Sequence, residues 1–475
     1  MAESWVNSAE RIGADLHLEL AGPGGRRAAL IRALRDAVRG GRLAPGTRLP
    51  PYRSLAADLG MARNTVADAY AELVAEGWLT ARQGSGTRVA TPLRQWGNTA
   101  APGAAARVPK KAPAPARGPR HDLRQGTPDA SSFPRSAWLA SYRRALQQAP
   151  NDAFGPGDPA GRRELREALA EYLTRTRGVA AEPDRIVICS GFAHALRLLF
   201  PHVLRGPLAV ESYGLGFHHE LLTSASVRTV PLALDEDGAQ VGELDRERAV
   251  LLTPAHQFPT GGPLHPARRA AVVDWARARG GLILEDDYDG EFRYDRRPVG
   301  ALQGMDPERV VHIGSVSKSL SPALRLGWMV LPERYVDAVL AAKGEREAWA
   351  SALDQLTLAD FLASGSYDRH VRRMRQRYRT RRDRLVAALA ERAPHIEVTG
   401  IAAGLHAVLR LPPGTERSAV KAATWQGVAL DGLAEFRHPR ATMPGPDGLV
   451  VGYATPSEHA YGSALEALCE ALPPG

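Results

Sequence analysis

The chain has 475 residues, 44% of them apolar and 24% charged, with a net charge of +9. That length exceeds what one hydrophobic core serves, so two or more domains are expected. No apolar run approaches the ~20 residues that cross a bilayer. Met1 to Leu20 carries Glu3, Glu10, Asp15 and Glu19 and lacks a signal-peptide core, and Cys189 and Cys469 are the whole cysteine complement. These features exclude a disulfide framework or a multi-cysteine zinc site and make the cytoplasm the expected location.

The charge is unevenly spread. Residues 1–121 hold 18 Arg and Lys against 9 Asp and Glu, whereas the remainder holds 43 of each sign. The positive excess therefore sits in the first quarter of the chain, as in a segment that alone meets a polyanion; a basic solubilising tail is the plainer alternative.

In chain order, Leu30, Ile31, Leu34, Ala37 and Val38 recur at helical spacing between Arg26 and Gly40, where Gly40-Gly41 ends the helix. Leu43 to Pro51 is turn material, and a short helix follows from about Tyr52 to Leu59, closed by Gly60. A third helix, capped by Asn64 or Thr65, is predicted to run to about Glu76 with Val66, Ala69, Tyr70, Leu73 and Val74 inward. Gly77 to Val89 alternates around Gly84 and Gly86 as a hairpin. Three helices with a tight turn between the last two, then a hairpin, make a winged helix-turn-helix. In that motif the recognition helix offers its N-terminal end to base edges and phosphates, here Arg63, Asn64 and Thr65. Arg53 opens the preceding helix, and Arg82 and Arg88 on the hairpin are set to reach backbone or minor groove. The rival reading of Asn64 and Thr65 is that they merely cap the helix.

Thr91 to His121 is rich in Ala, Pro, Gly and Arg and reads as a semi-extended linker. The expected division is 20–90, 91–121 and 122–475, with a smaller subdomain from about 345. Past the linker, apolar strands at Arg185–Cys189, Leu208–Val210, Ala249–Leu252, Leu282–Leu284 and Val310–Ile313 alternate with helical patterns, the signature of an α/β domain with a mostly parallel sheet.

Lysine is scarce in this chain, five (110, 111, 318, 343 and 421) against 56 arginines. Lys318, kept among serines after an apolar strand, suggests a role arginine cannot fill, such as an imine to an aldehyde cofactor; a surface lysine is the alternative. Ser315 and Arg325 flank it with groups suited to a phosphate. Glu285, Asp286 and Asp287 end a buried-looking strand, where open α/β sheets place their sites, and Tyr288 follows. Metal binding is the rival use of these acids, without a neighbouring histidine pattern to support it. Thr253-Pro-Ala-His-Gln-Phe-Pro-Thr-Gly261 supplies turn chemistry after another strand. Ser190-Gly-Phe-Ala-His-Ala195 sets backbone N–H groups near Gly191, Phe192 and Ala193 at a helix start, where a phosphate can sit.

The segment from Gly41-Arg-Leu-Ala-Pro-Gly-Thr-Arg-Leu-Pro50 through Arg63–Leu73 to Gly84-Ser-Gly-Thr87 resembles the GntR type of winged helix-turn-helix. The four later motifs resemble fold-type-I, pyridoxal-phosphate-dependent aminotransferases. The combination resembles the MocR subfamily of GntR regulators, which includes the GabR and PdxR types. The resemblance implies an α+β head followed by an α/β domain with a mixed, mostly parallel sheet and a smaller α+β C-terminal subdomain. It implies Lys318 as the internal aldimine, Asp286 at the pyridine nitrogen, Tyr288 at the phenolic oxygen, and Ser315, Arg325 and the Gly191 loop at the phosphate, with Phe192 and Ala193 contributing backbone only. It also implies Arg53, Arg63, Asn64 and Thr65 as contacts to a double-stranded DNA operator, bound by a head-to-tail homodimer without metal or membrane.

Two departures bear on catalysis. Val450 stands where aminotransferases of this fold carry the arginine that clamps a substrate carboxylate, leaving Arg437 or Arg440 as substitutes. Leu215 stands where a ring-stacking tyrosine is common, leaving Tyr213 or Phe217. Imine machinery without a carboxylate clamp favours sensing the cofactor over turning over an amino acid, as in PdxR-type regulators, which control pyridoxal phosphate synthesis; Gly13–Leu20 is also PdxR-like. A MocR-type regulator sensing an amino compound through an external aldimine, and an active aminotransferase, are the alternatives. The basic run Asp368–Asp383 reads as a solvated helix paired with acidic neighbours, with Val371, Met374 and Tyr378 inward; a second DNA-binding surface is its rival.

Overall fold

The computed structural model describes residues 20, 25–82, 86–90, 119–200, 202–294, 299–344, 350–442 and 445–475, with the Arg82 side chain outside that set. Residues 13–19 of the PdxR-like opening, the hairpin tip at 83–85 and linker residues 91–118 also lie outside the described residues. The chain forms two units, residues 1–110 and 111–475.

In the first unit, helices α1 (Arg26–Arg39), α2 (Tyr52–Asp58) and α3 (Arg63–Ala75) precede a hairpin of β1 (Leu79–Arg82) and β2 (Gly86–Val89). The apolar stripes read from the sequence meet in one core, where Leu30, Leu34, Leu55, Val66, Leu73 and Val89 are all but removed from solvent. Polar pins fix the packing. The Tyr70 hydroxyl donates to the Pro50 carbonyl at 2.9 Å, Arg35 Nε donates to Glu76 at 2.9 Å, and Arg88 donates to the Gly46 carbonyl at 2.9 Å, tying the hairpin to the turn after α1. One expectation fails: α3 begins at Arg63 with Ala62 as its N-cap, and no side chain caps it. Asn64 and Thr65 lie one and two residues inside the helix, past the position whose side chain can reach back to the open N–H groups.

The second unit is built on a seven-stranded sheet of β3 (Ile186–Cys189), β4 (Leu208–Glu211), β5 (Thr229–Leu232), β6 (Ala249–Leu252), β7 (Leu282–Asp286), β8 (Val310–Ser315) and β9 (Gly327–Val330), in the order β3-β9-β8-β7-β6-β4-β5. All neighbours run parallel except β9, which is antiparallel to both β8 and β3. The strands are apolar on both faces, as a helix-covered sheet requires. Val187, Cys189, Leu284, Val311 and Ile313 pack on one side with α6 (Phe192–Leu199), α7 (Gly216–Ser224) and α9 (Glu333–Lys343). Ile186 and Ile188 face the other side, with α5 (Arg163–Arg177) and α10 (Ala352–Ala363), and α10 lies against α4 (Arg135–Gln148). Further along that side Val250, Ile283 and Val310 meet α8 (Pro266–Arg279).

A second, antiparallel sheet of β10 (Glu397–Thr399), β11 (His406–Arg410), β12 (Asp431–Gly432) and β13 (Gly448–Gly452), ordered β10-β11-β13-β12, packs with α11 (Ser366–Arg392), α12 (Glu416–Trp425) and α13 (Glu458–Ala471). The basic run lies on α11 with Val371, Met374 and Tyr378 buried. Two of its arginines are paired within the domain, Arg377 with Asp129 at 2.7 Å and Arg381 with Glu458 at 3.1 Å, and Arg384 just past the run bonds Glu458 at 3.3 Å. Among the described residues no helix is long and apolar enough to cross a membrane.

Candidate functional site

At the C-terminal ends of β4, β7 and β8 lies a cavity of about 190 Å³, the edge at which parallel sheets gather their sites. Lys318, Asp286, Tyr288, Ser315, Arg325, Gly191, Phe192 and Ala193 all line it.

The three acids at the end of β7 go three ways, because successive strand residues point to opposite faces. Glu285 is buried and accepts from the backbone N–H groups of Leu302 at 2.7 Å and Gln303 at 3.0 Å. Asp287 takes both arms of Arg177, at 2.7 and 2.8 Å, with both side chains buried. Burial alone would raise the Asp287 carboxyl, but Arg177 and His312 hold it below the usual range. Only Asp286 opens on the cavity. Burial pushes its ionisation well up, and Asp287, Asp289 and Glu211 add to that, while Lys318 opposes it. Among the described residues it is a carboxylate short of a cation.

Lys318 follows β8 on a turn where the Trp328 ring fills the space a side chain at Gly314 would need. Its Nζ donates to the Gly126 carbonyl at 2.5 Å, and burial lowers its proton affinity against the pull of Asp286 and Asp289. Arg325 is one of two described non-glycine residues with positive φ, at 52°, a strained conformation of the kind that clusters at binding sites. Gly191, at φ 112°, starts α6, and the first N–H groups of that helix have no partner within it. Gly327 approaches so closely that a Cβ there would sit 2.8 Å from Gly191 Cα.

These residues fit pyridoxal phosphate. Open N–H groups, Ser315 and Arg325 suit its phosphate, the under-partnered Asp286 suits a pyridinium, and a buried amine of lowered proton affinity suits an aldehyde.

The two departures are also resolved in space. Val450 is fully buried in an apolar cluster with Val408, Phe258, Tyr213, Leu433 and Phe436. Arg437 Nη2 donates to the Ala441 carbonyl at 2.9 Å, Arg440 is turned to the Thr229 carbonyl, and neither lines the cavity. Lys318 and Arg325 are the cavity's only Lys or Arg among the described residues. Phe217 points outward, 54% exposed, while Tyr213 lines the cavity. The α7 rings that join Tyr213 there are His218 and His219; His218 lies 4.7 Å from Phe192 and is held neutral by burial, which lowers it to about 4. Because α7 starts at Gly216, Phe217 and His218 diverge by about 100° around the helix axis, a register the sequence did not reveal. Gly126, Glu211 and His406 also line the cavity without a signal that singled them out.

Glu211 accepts from Thr253 Oγ1 at 2.5 Å and from the Thr253 N–H at 3.2 Å, yet burial raises it from 4.5 to about 7. Its folded form holds a proton that the unfolded chain releases, so stability attributable to this group falls as pH rises from about 4.5 to 7. Glu211→Gln is expected to flatten that part of the profile, measured as the difference in thermal midpoint between pH 5 and pH 8; an unchanged difference would count against it.

On the head, Arg53, Arg63 and Asn64 are exposed and Thr65 is half-buried. Arg82 ends β1, and Arg88 pairs in the bridge with Arg48.

Comparison with known proteins agrees with this architecture. Residues 123–455 match the aminotransferase class I and II family, and residues 27–89 match the gntR family of bacterial regulatory proteins. The chain is 34% identical over 445 residues to the probable rhizopine catabolism regulatory protein MocR of Rhizobium meliloti, covering 90% of this chain and 89% of that one. It is 32% identical over 383 residues to the pyridoxine biosynthesis transcriptional regulator PdxR of Corynebacterium glutamicum, covering 80% and 82%. The solved structure of kynurenine aminotransferase from Pyrococcus horikoshii superposes with a TM-score of 0.66 at 23% identity, over 74% of this chain and 90% of that one. Fold and site thus define a helix-turn-helix transcriptional regulator with an aminotransferase-like domain. The chain belongs to the aminotransferase class I and II family in its larger part and, as a whole, to the MocR-type regulators of the GntR family.

Proposed function

We propose that this regulator takes pyridoxal 5'-phosphate itself as effector, held at Lys318, and controls vitamin B6 synthesis genes as a cytoplasmic homodimer. The observation that carries the reading is the cavity's composition: a full set of groups for the cofactor, but Val450 in an apolar cluster where a carboxylate clamp would stand. When bound, the cofactor supplies an aldehyde for the lysine and an electron-withdrawing ring. The chain's own residues do the rest. Asp286 would hold the ring's nitrogen and Tyr288 would donate to its phenolic oxygen, beside the Tyr213, His218 and His219 rings that line the cavity. Ser315, Arg325 and the N–H groups from Gly191 to Ala193 would hold the phosphate, and the surrounding apolar side chains would exclude water. Occupancy would shift the equilibrium between two arrangements of heads and body and so change operator affinity.

The PdxR relative, a pyridoxine biosynthesis transcriptional regulator, supports the choice of effector. The test is a DNA-binding titration with cofactor-free protein, cofactor-loaded protein and Lys318→Ala, read beside the visible spectrum. Equal operator affinity in all three overturns the reading. A second reading, an amino compound as effector, draws on the Gly126 carbonyl, an acceptor that Lys318 now occupies and that an incoming amine could use. A change in both spectrum and operator affinity on adding such amines to loaded protein would favour it.

For the head, we assign Arg53, Arg63, Asn64, Thr65, Arg82 and Arg88 as operator contacts within a domain 20–90, joined by the linker 91–121 to the cofactor domain 122–475. The absence of a side-chain cap at α3 leaves Asn64 and Thr65 available for DNA. Arg63→Ala is expected to cost about 1–3 kcal/mol of operator affinity without unfolding the head, since Arg63 is exposed. Fluorescence anisotropy at fixed salt measures this, and undiminished affinity would remove Arg63 from the contact set.

A further inference from the structure

We propose that His256 and Asp289 are a positioning pair that fixes the Tyr288 hydroxyl as a hydrogen-bond donor into the cavity. The inference rests on the cofactor reading above and deepens it by stating how the phenol's proton is aimed.

Tyr288 Oη lies 2.9 Å from His256 Nδ1, and the same nitrogen lies 2.8 Å from Asp289 Oδ2. The His256 and Asp289 side chains are each 2% exposed, whereas Tyr288 opens on the cavity. A carboxylate oxygen only accepts, so the nitrogen facing it carries hydrogen. A ring nitrogen that carries hydrogen has no lone pair left to accept. Tyr288 therefore cannot donate to His256; its oxygen takes a share of the same N–H, and its own proton goes to the cavity or to Asp289, which lies within hydrogen-bond reach; we take the first. The rival arrangement turns the phenol's proton towards Asp289.

The fold brings the pair together from two strand ends, His256 in the turn after β6 and Asp289 three residues past β7. The backbone then closes over it. A Cβ at Gly404 would sit 2.4 Å from the His256 ring and 2.5 Å from Asp289 Oδ2, so no side chain fits there. The Gly404 carbonyl is itself held by the Tyr453 hydroxyl at 2.8 Å and by Tyr294. The other titratable groups facing this cluster are Asp286, Glu211, Lys318, His406, Tyr294 and Tyr453. His406 spends its Nε2 on the Pro259 carbonyl at 3.0 Å and does not compete. Burial, with Asp289 and Asp286, keeps Tyr288 a phenol by pushing its ionisation well up.

A donor aimed at the cofactor's phenolic oxygen disperses negative charge there and weakens that oxygen's hold on the proton it shares with the lysine-bound nitrogen. Loss of the donor thus raises the pH at which the bound cofactor changes colour. The full chain, loaded with pyridoxal phosphate, is compared with Tyr288→Phe, His256→Leu, His256→Gln and His256→Asn. Borohydride trapping at Lys318 reports loading, and the visible band titrated against pH reports the midpoint. Tyr288→Phe and His256→Leu are expected to raise the midpoint by about one pH unit, a tenfold change. His256→Asn, whose amide nitrogen stands near the Nδ1 position, is expected to restore it; His256→Gln, one bond longer, is not. If His256→Leu fails to fold, the Asn and Gln variants carry the comparison. A His256→Leu midpoint equal to wild type beside a raised Tyr288→Phe midpoint overturns the inference, as do equal midpoints for Asn and Gln. Trapping intact with these outcomes sinks only the positioning pair; no trapping in the wild type sinks the cofactor reading as well.

Discussion

Lys318→Ala is expected to leave the protein folded, colourless and deaf to pyridoxal phosphate. The side chain's one hydrogen bond goes to the Gly126 carbonyl, across 192 residues of sequence, and it ends in a cavity. Its removal therefore opens space in a site already hollow and leaves one carbonyl that water can satisfy. The expected loss in cofactor affinity is at least a hundredfold, on the order of 3 kcal/mol, measured by equilibrium dialysis. Operator affinity should become the same with and without the compound. Wild-type affinity for the cofactor in the variant would mean that the covalent bond contributes nothing to sensing. Retained cofactor-dependent operator binding would mean that another group carries the signal.

Arg177→Ala is expected to destabilise the cofactor domain more than any change in the cavity. Arg177 and Asp287 are 7% and 5% exposed and meet through two hydrogen bonds, and Arg177 Nη1 also donates to the Val299 carbonyl at 2.9 Å. Removing one partner of such a pair strands a buried charge and costs about 3–5 kcal/mol. The direction of the Asp287 shift adds a pH signature. Its carboxyl is depressed in the folded state, so the stability it contributes is present above the usual aspartate value of 3.8 and is lost as pH falls through its lower folded value. Urea unfolding of the two proteins at neutral pH measures the cost. A double variant, Arg177→Leu with Asp287→Leu, should recover part of the loss because it leaves no charge behind. A loss below about 1 kcal/mol would show that water reaches the pair.

Most of the fold was legible because local pattern dictates it. The three helices of the head carry their stripes at helical spacing, and five of the seven central strands stand out as apolar runs. Thr229–Leu232 and Gly327–Val330 did not: a proline interrupts the first, and the second follows so soon after the lysine turn that it reads as part of the motif. The site motifs were legible wherever the chemistry lies in contiguous residues, as in Glu285–Tyr288 and Ser315–Lys318. What escaped was whatever depends on distant contacts or on exact helix starts. Gly126 meets Lys318, and Gly404 closes on His256 and Asp289, only through the tertiary fold. Ala62 caps α3, and His218 rather than Phe217 turns to the cavity, because a one-residue choice of helix start rotates every side chain after it.

Glu285, Asp286 and Asp287 divide their tasks purely by parity, the middle acid facing the cavity while its neighbours are held by backbone amides and by Arg177. Deleting one residue upstream in the strand would hand each acid its neighbour's slot, stranding a carboxylate where amides waited and pointing a salt-bridge partner at empty space. In this stretch of gene the count thus matters beyond the spelling: an altered codon touches one acid, whereas a single lost codon displaces all three at once.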